Sequence, residues 1–126
     1  MTKKTKSGYT DGFVIPIAKK NLNAYRRMAL ACRKIWIEYG AVDFVECVVD
    51  DLVINGMPAS FPKQIKLKRG ELVLFSWITY KSKTHRDKVN AKVMSDKRMA
   101  KMMDRKAMPF DGRRMLYGGF KIIIGG

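Results

Sequence analysis

The chain has 126 residues and a mass of 14.4 kDa, and 26 Lys and Arg against 11 Asp and Glu give a formal charge of +15. A chain of this mass buries roughly two-thirds of the surface its unfolded form exposes, enough for one core without disulfides or a structural metal. Apolar residues at 47% and aromatics at 10% exclude a natively disordered chain, and no run approaches the ~20 apolar residues of a membrane span.

Met1 to Gly8 (MTKKTKSG) holds nothing that repays the entropy of ordering, so residues 1–8 read as a flexible basic tail and 9–126 as a single domain. The segment also lacks the apolar stretch of a secretory signal, and the expected compartment is the cytoplasm. From Asp11 to Ile17 the β-branched and aromatic run DGFVIPI predicts a first strand, with Pro16 at its end because proline donates nothing to a sheet ladder. Leu22, Tyr25, Ala29, Cys32, Trp36 and Tyr39 then recur at steps of three and four, the stripe of an amphipathic helix, and Gly40 supplies its stop.

A second strand is predicted over 41–49. A long connection follows from Asp50 to Gly70, punctuated by Asn55-Gly56, Pro58 and Pro62, in which Ile65 and Leu67 alternate with lysines as in a short edge strand or a loosely packed ribbon. The strongest strand signal is ELVLFSWITY, Glu71 to Tyr80. Ser82 can cap a second helix from Lys83 to Met94, a break at Ser95-Asp96 leads to a Met-rich turn through Met103, and Asp111-Gly112 turns the chain into a last strand from Arg114 to Ile124.

The order strand, helix, strand, strand, helix, strand predicts an α+β fold, the ferredoxin-like βαββαβ sandwich, with a four-stranded antiparallel sheet and both helices on one face. In the third strand Val73, Phe75 and Trp77 point one way and Leu72, Leu74, Ile78 and Tyr80 the other, so neither face is a wet one. Two helices cover one face only. The economical cover for the second is another copy of the chain, and a homodimer packed sheet against sheet is expected. Cys32 and Cys47 lie in apolar segments as free thiols, and with one His no standard zinc site can be built; no metal, cofactor or disulfide is expected.

Several segments resemble the YbaA-like proteins, a bacterial domain-of-unknown-function family of the dimeric α/β-barrel superfamily: Asp11 to Ala29, Val45 to Cys47, Phe61 to Lys83, Arg86 to Met99, and Met108 to Phe120. The similarity covers nearly the whole folded chain and implies a ferredoxin-like protomer in a dimeric α/β barrel. It assigns no activity. Relatives in the wider superfamily include cofactor-free monooxygenases, haem-degrading enzymes, isomerases and ligand-sensing domains, among which fold kinship does not choose.

Glu46 shares its side of the second strand with Val42, Phe44 and Val48, where desolvation raises a carboxylate's pKa toward that of a general base. The competing reading, an ion pair with an Arg or Lys from the neighbourhood of the third strand or from a partner subunit, is preferred. His85, near a helix N-terminus, is the second candidate proton acceptor, against a packing or capping role. Trp77, Tyr80, Tyr117 and Phe120 can line an aromatic pocket for a planar ligand, or else serve core and dimer contacts. Arg86 or Arg113 can hold an anion, while Arg113 or Arg114 can instead pair with Asp11 or Asp96. Gly118-Gly119 marks a bulge or a close approach of another backbone. The six Met from Met94 to Met115 read as adaptable packing.

Twelve Lys and Arg against four Asp between Lys81 and Arg114 would attract nucleic acid without sequence preference. No RNP aromatic pattern, zinc finger or recognition helix accompanies them, and a solvated basic surface is preferred. The resulting expectation is a small cytoplasmic homodimer that binds a small organic molecule in an aromatic-lined cleft. A cofactor-independent monooxygenase or isomerase and a polyanion-binding module are the alternatives.

Overall fold

The computed structural model describes residues 6–104, 106 and 108–126. Four strands form one antiparallel sheet: β1 (Tyr9–Ala18), β2 (Asp43–Val48), β5 (Glu71–Tyr80) and β6 (Leu116–Lys121), in the order β2-β5-β1-β6. A two-stranded hairpin, β3 (Val53–Ile54) with β4 (Met57–Pro58), leaves the chain between β2 and β5. The helices are α1 (Leu22–Glu38), the short α2 (Phe61–Gln64), α3 (Lys83–Met94) and α4 (Lys97–Met102).

Each strand runs as far as its partners allow. β5 covers Glu71 to Tyr80 and is paired along its whole length with β1, from Ala18–Glu71 to Tyr9–Tyr80. Pro16 sits inside β1, further from the end than expected. The ladder to β6 stops at Val14–Leu116, so the proline's missing N–H falls beyond the last pair on that side. On α1 the buried positions are Tyr25, Ala29, Cys32, Ile35 and Trp36, one stripe against the sheet, and Gly40 ends the helix at φ +109°. Ser82 caps α3 by accepting from the His85 N–H at 3.1 Å. Asp96 caps α4 from the Arg98 N–H at 2.8 Å, while the Arg98 side chain clamps both Asp96 and Glu38.

Two expectations are corrected, and a third lies mostly outside the described residues. The edge strand through Ile65 and Leu67 is absent: Pro62 in the first helical turn starts α2, Ile65 and Leu67 donate back to Phe61 and Pro62, and Lys66 takes φ +52°. The last strand is shorter than Arg114 to Ile124. Gly112–Arg114 is a 3-10 turn, and pairing ends at Lys121 opposite Tyr9, the first residue of β1. The tail expected over 1–8 falls mostly on residues 1–5, outside the described residues, and Gly8 is already held, donating to Tyr80 and accepting from Ile122.

Register fixes the two faces of the sheet. Tyr9, Asp11, Phe13, Ile15 and Ile17 face the helices with Phe44, Glu46, Leu74, Ser76, Ile78 and Tyr80, and two buried clusters form there. Val14, Val45, Cys47, Phe75, Trp77, Leu116 and Phe120 point the other way, where among the described residues the short α2 meets Phe75 through Phe61 and no longer helix lies over the rest. No helix in the described residues is long and apolar enough to cross a membrane.

Candidate functional site

Two cross-sheet rows build a site under the helices. In one row Glu46, Ser76, Phe13 and Tyr117 stand side by side on β2, β5, β1 and β6; in the next stand Phe44, Ile78, Asp11 and Gly119. Above them a cavity of about 500 Å³ opens between sheet and helices, of the size that holds small organic molecules. Its walls include Ile15, Tyr25, Cys32 and Trp36. All six Met from Met94 to Met115 reach it, so the run read as packing also forms the rim of the cavity.

Asp11 anchors a polar group at one end. Arg86, from α3, brings Nε to 3.5 Å from its carboxylate, donates from Nη2 to the Tyr9 hydroxyl at 2.8 Å, and lays its guanidinium 4.9 Å from the Tyr9 ring centroid. Nη1 lies 3.3 Å from Asp87. Burial raises the Asp11 pKa; Arg86 opposes this, as do Tyr80 and Asn90 within hydrogen-bonding reach of the carboxylate. Asn90 Oδ1 in turn accepts from Trp36 Nε1 and the Tyr80 hydroxyl, both at 3.2 Å. A Cβ at Gly119 would overlap the Tyr9 hydroxyl and stand 2.7 Å from Arg86 Nη2. The close neighbours of that glycine are therefore side chains of the same protomer, and no bulge interrupts β6.

Glu46 lies at the other end. Its residue is exposed overall, and its carboxyl accepts from the Tyr25 hydroxyl at 2.8 Å. Desolvation raises its pKa, with the hydrogen bonds from Tyr25 and Ser76 pulling the other way. The same burial, together with the Glu46 charge, raises the pKa of Tyr25 and pushes the Cys32 thiol up to about 11, so neither phenolate nor thiolate forms near neutrality. The Cys32 thiol instead contacts Met102 Sδ at 3.9 Å. The ion pair expected of Glu46 is not found among the described residues; its partner is a neutral hydroxyl.

The other candidates scatter. His85 lies outside the cavity, its Nδ1 accepting from the Lys81 N–H at 2.9 Å and its ring bonded to the Gly40 backbone, so it staples the start of α3 to the end of α1. Desolvation and Lys81 lower its pKa. Trp77 lies on the open face of the sheet. Tyr80 is fully buried, two residues beyond Ile78 of the cavity wall on the same face of β5, and reaches the site through Asn90. Tyr117 borders both the cavity and the open face. Arg113 is exposed and pairs with Asp111, while Arg114 pairs with Glu71 at 2.6 Å. Tyr9, Tyr25 and Asn90 had not been singled out as site residues, and Asp11 only as an ion-pair partner. The charge of Asp11 at a helix-facing position of an apolar strand was the available signal; Asn90 gave none. Among the described residues no three His, Cys, Asp or Glu side chains gather as metal ligands.

Residues 8–112 match the model of a family described as protein of unknown function, DUF1428. The chain belongs to the DUF1428 family. Over 116 residues it is 45% identical to the uncharacterized protein YbaA of Escherichia coli strain K12, a match covering 92% of this chain and 97% of that one. The same figures hold for YbaA of Escherichia coli O157:H7 and of Shigella flexneri. The DUF1428 match spans Asp11, Glu46, Ser76, Arg86 and Asn90, and ends before Tyr117 and Gly119.

Proposed function

We propose that the protein binds a small organic molecule in the cavity between sheet and helices, and that it does so as a dimer of ferredoxin-like protomers. The observation that carries the first part is the cavity itself: about 500 Å³, walled by aromatic and thioether side chains, with Glu46, Ser76, Asp11, Arg86 and Asn90 converging on it. Apolar walls with a few placed polar groups are the usual make-up of a ligand site. Met side chains at the rim adapt to varied ligand outlines at small cost.

Support for the protomer reading is the strand order β2-β5-β1-β6, with α1 linking β1 to β2 across β5 and α3 linking β5 to β6 across β1. Support for dimerisation is the open face, where Phe75 and Phe120 are 46% and 58% exposed and Ile123 and Ile124 extend the apolar area past β6. Glu46 favours a second reading, an enzyme in which this carboxylate accepts a proton, because its raised pKa moves it toward the range where a base works at neutral pH.

Ala29 lines the cavity from α1, and Ala29→Trp would fill it. In a Trp77→Phe background, where Trp36 is the only native indole, an apolar dye such as 1-N-phenylnaphthylamine is expected to quench Trp36 saturably. Ala29→Met is expected to weaken that quenching by about tenfold, and the larger Ala29→Trp to abolish dye uptake. Dye binding of unchanged affinity in folded Ala29→Trp protein would sink the ligand-site reading.

A further inference from the structure

Three charged side chains face the cavity: Asp11, Glu46 and Arg86. Arg86 already has two carboxylates beside it, Asp11 and Asp87, and donates to the Tyr9 hydroxyl, while its buried Nε makes no hydrogen bond. Glu46 is different. Among the described residues it has no cation within ion-pair distance. Arg26 and Arg33 border an outer groove that Glu46 also lines, yet neither pairs with it, and Arg33 Nε donates to the Phe44 carbonyl instead. The cavity therefore carries a net negative charge inside a protein whose overall charge is +15.

The surroundings of that charge are polarizable. Phe13, Trp36, Phe110 and Tyr117 present rings, and Met28 and Met102 present thioethers. Ring faces attract cations electrostatically, most strongly where water is excluded. Glu46 is exposed overall but stands at these walls without a counter-ion, and a ligand that brings positive charge there gains a charge-assisted contact with it. An anionic ligand would meet two carboxylates, and a neutral one would leave Glu46 as it is.

Resting on the ligand-site reading above, we propose that the cavity takes a hydrophobic organic cation, an amine or quaternary centre on an aromatic or aliphatic body, with Glu46 as its counter-ion. The surface charge of +15 repels cations, so a preference for them must arise inside the cavity.

Tetraphenylphosphonium, tetraphenylborate and triphenylphosphine oxide share phenyl rings on a central atom and differ in charge. With the full chain in ~0.3 M salt, which screens the basic surface, calorimetric titration is expected to show the phosphonium binding at least about tenfold tighter than the neutral oxide. Glu46→Gln is expected to remove most of that ratio while the oxide's affinity stays within about twofold, and Glu46→Asp, which keeps the charge, to preserve the ratio. Circular dichroism melts of both variants establish that they are folded. Binding of the oxide or the borate as tightly as the phosphonium overturns the cation assignment and leaves the cavity a ligand site. An unchanged ratio in Glu46→Gln also overturns it, and failure of all three probes to bind overturns both readings.

Discussion

The two faces of the sheet are both apolar and have different fates. Leu74, on the helix side of β5, is 2% exposed, while the next residue, Phe75, is 46% exposed on the open side. Their side chains are similar in hydrophobicity, so composition does not separate them. What separates them is reach: α1, α3 and α4 all fall on one side, and only the small hairpin and α2 lean over the other, where Phe61 packs on Phe75 at 6.2 Å between ring centroids. Burial on the first face stabilises folding. Apolar area left on the second is available for association.

The contrast breaks most decisively at Ile78 and Phe75. Ile78→Ala, in the main buried cluster at 5% exposure, is expected to cost folding about 2–4 kcal/mol in urea denaturation at fixed protein concentration. Phe75→Glu should keep its far-UV circular dichroism and sediment as a 14.4 kDa monomer at micromolar concentration, where the unsubstituted chain is expected to sediment as a dimer. Unaltered sedimentation would mean that the open face is not the association surface.

A smaller effect separates two adjacent glycines. Gly119→Ala must displace Tyr9 and Arg86 on the helix side and is expected to lose about 1–3 kcal/mol. Gly118→Ala, on the open side, places its Cβ 3.4 Å from a Phe120 ring that can swing away, and should lose less than about 1 kcal/mol in thermal melts. Equal losses would show that the two sides are packed alike.

The smallest effects are pH slopes of opposite sign. The raised pKa of Glu46 gives a stability contribution that is full below the ordinary carboxylate value of 4.5 and is lost as pH rises through the folded value. Glu46→Gln should therefore melt higher than the parent at neutral pH, the gain vanishing in acid. Tyr25 and Ser76 face that carboxyl, with Cys32 nearby. The lowered pKa of His85 gives a contribution present above 6.5 and lost as pH falls, against Lys81, Lys88 and the Gly40 backbone around the ring. An NMR titration midpoint for His85 at or above 6.5 would contradict it.

Much of the scaffold was legible because its signals are local. The Glu71 to Tyr80 strand, the Ser82 cap and the alternation of Val73, Phe75 and Trp77 against Leu74, Ile78 and Tyr80 depend on neighbours a few residues apart. The site depends on distant pairs. Arg86 meets Tyr9 across 77 residues of sequence, and Glu46 meets Tyr25 across 21 through the packing of α1 on β2. Glu46 was legible as a desolvated carboxylate from the parity of its strand, but its partner was not, since the abundance of Lys and Arg pointed to an ion pair. Trp77 and Tyr80 were grouped by their aromatic character although an odd and an even position on one strand face opposite sides. Ile65 and Leu67 alternated like a strand, and the helix start set by Pro62 overrode that pattern.

Gly119 sits on an edge strand, yet the space above its Cα decides where a guanidinium borne by α3 comes to rest. The orientation of Arg86 beside Asp11 is thus set by an atom that is not there. A screen of substitutions would find Gly119 intolerant despite its solvent exposure, and would misfile as a surface position what is in effect the seat of a half-buried ion pair.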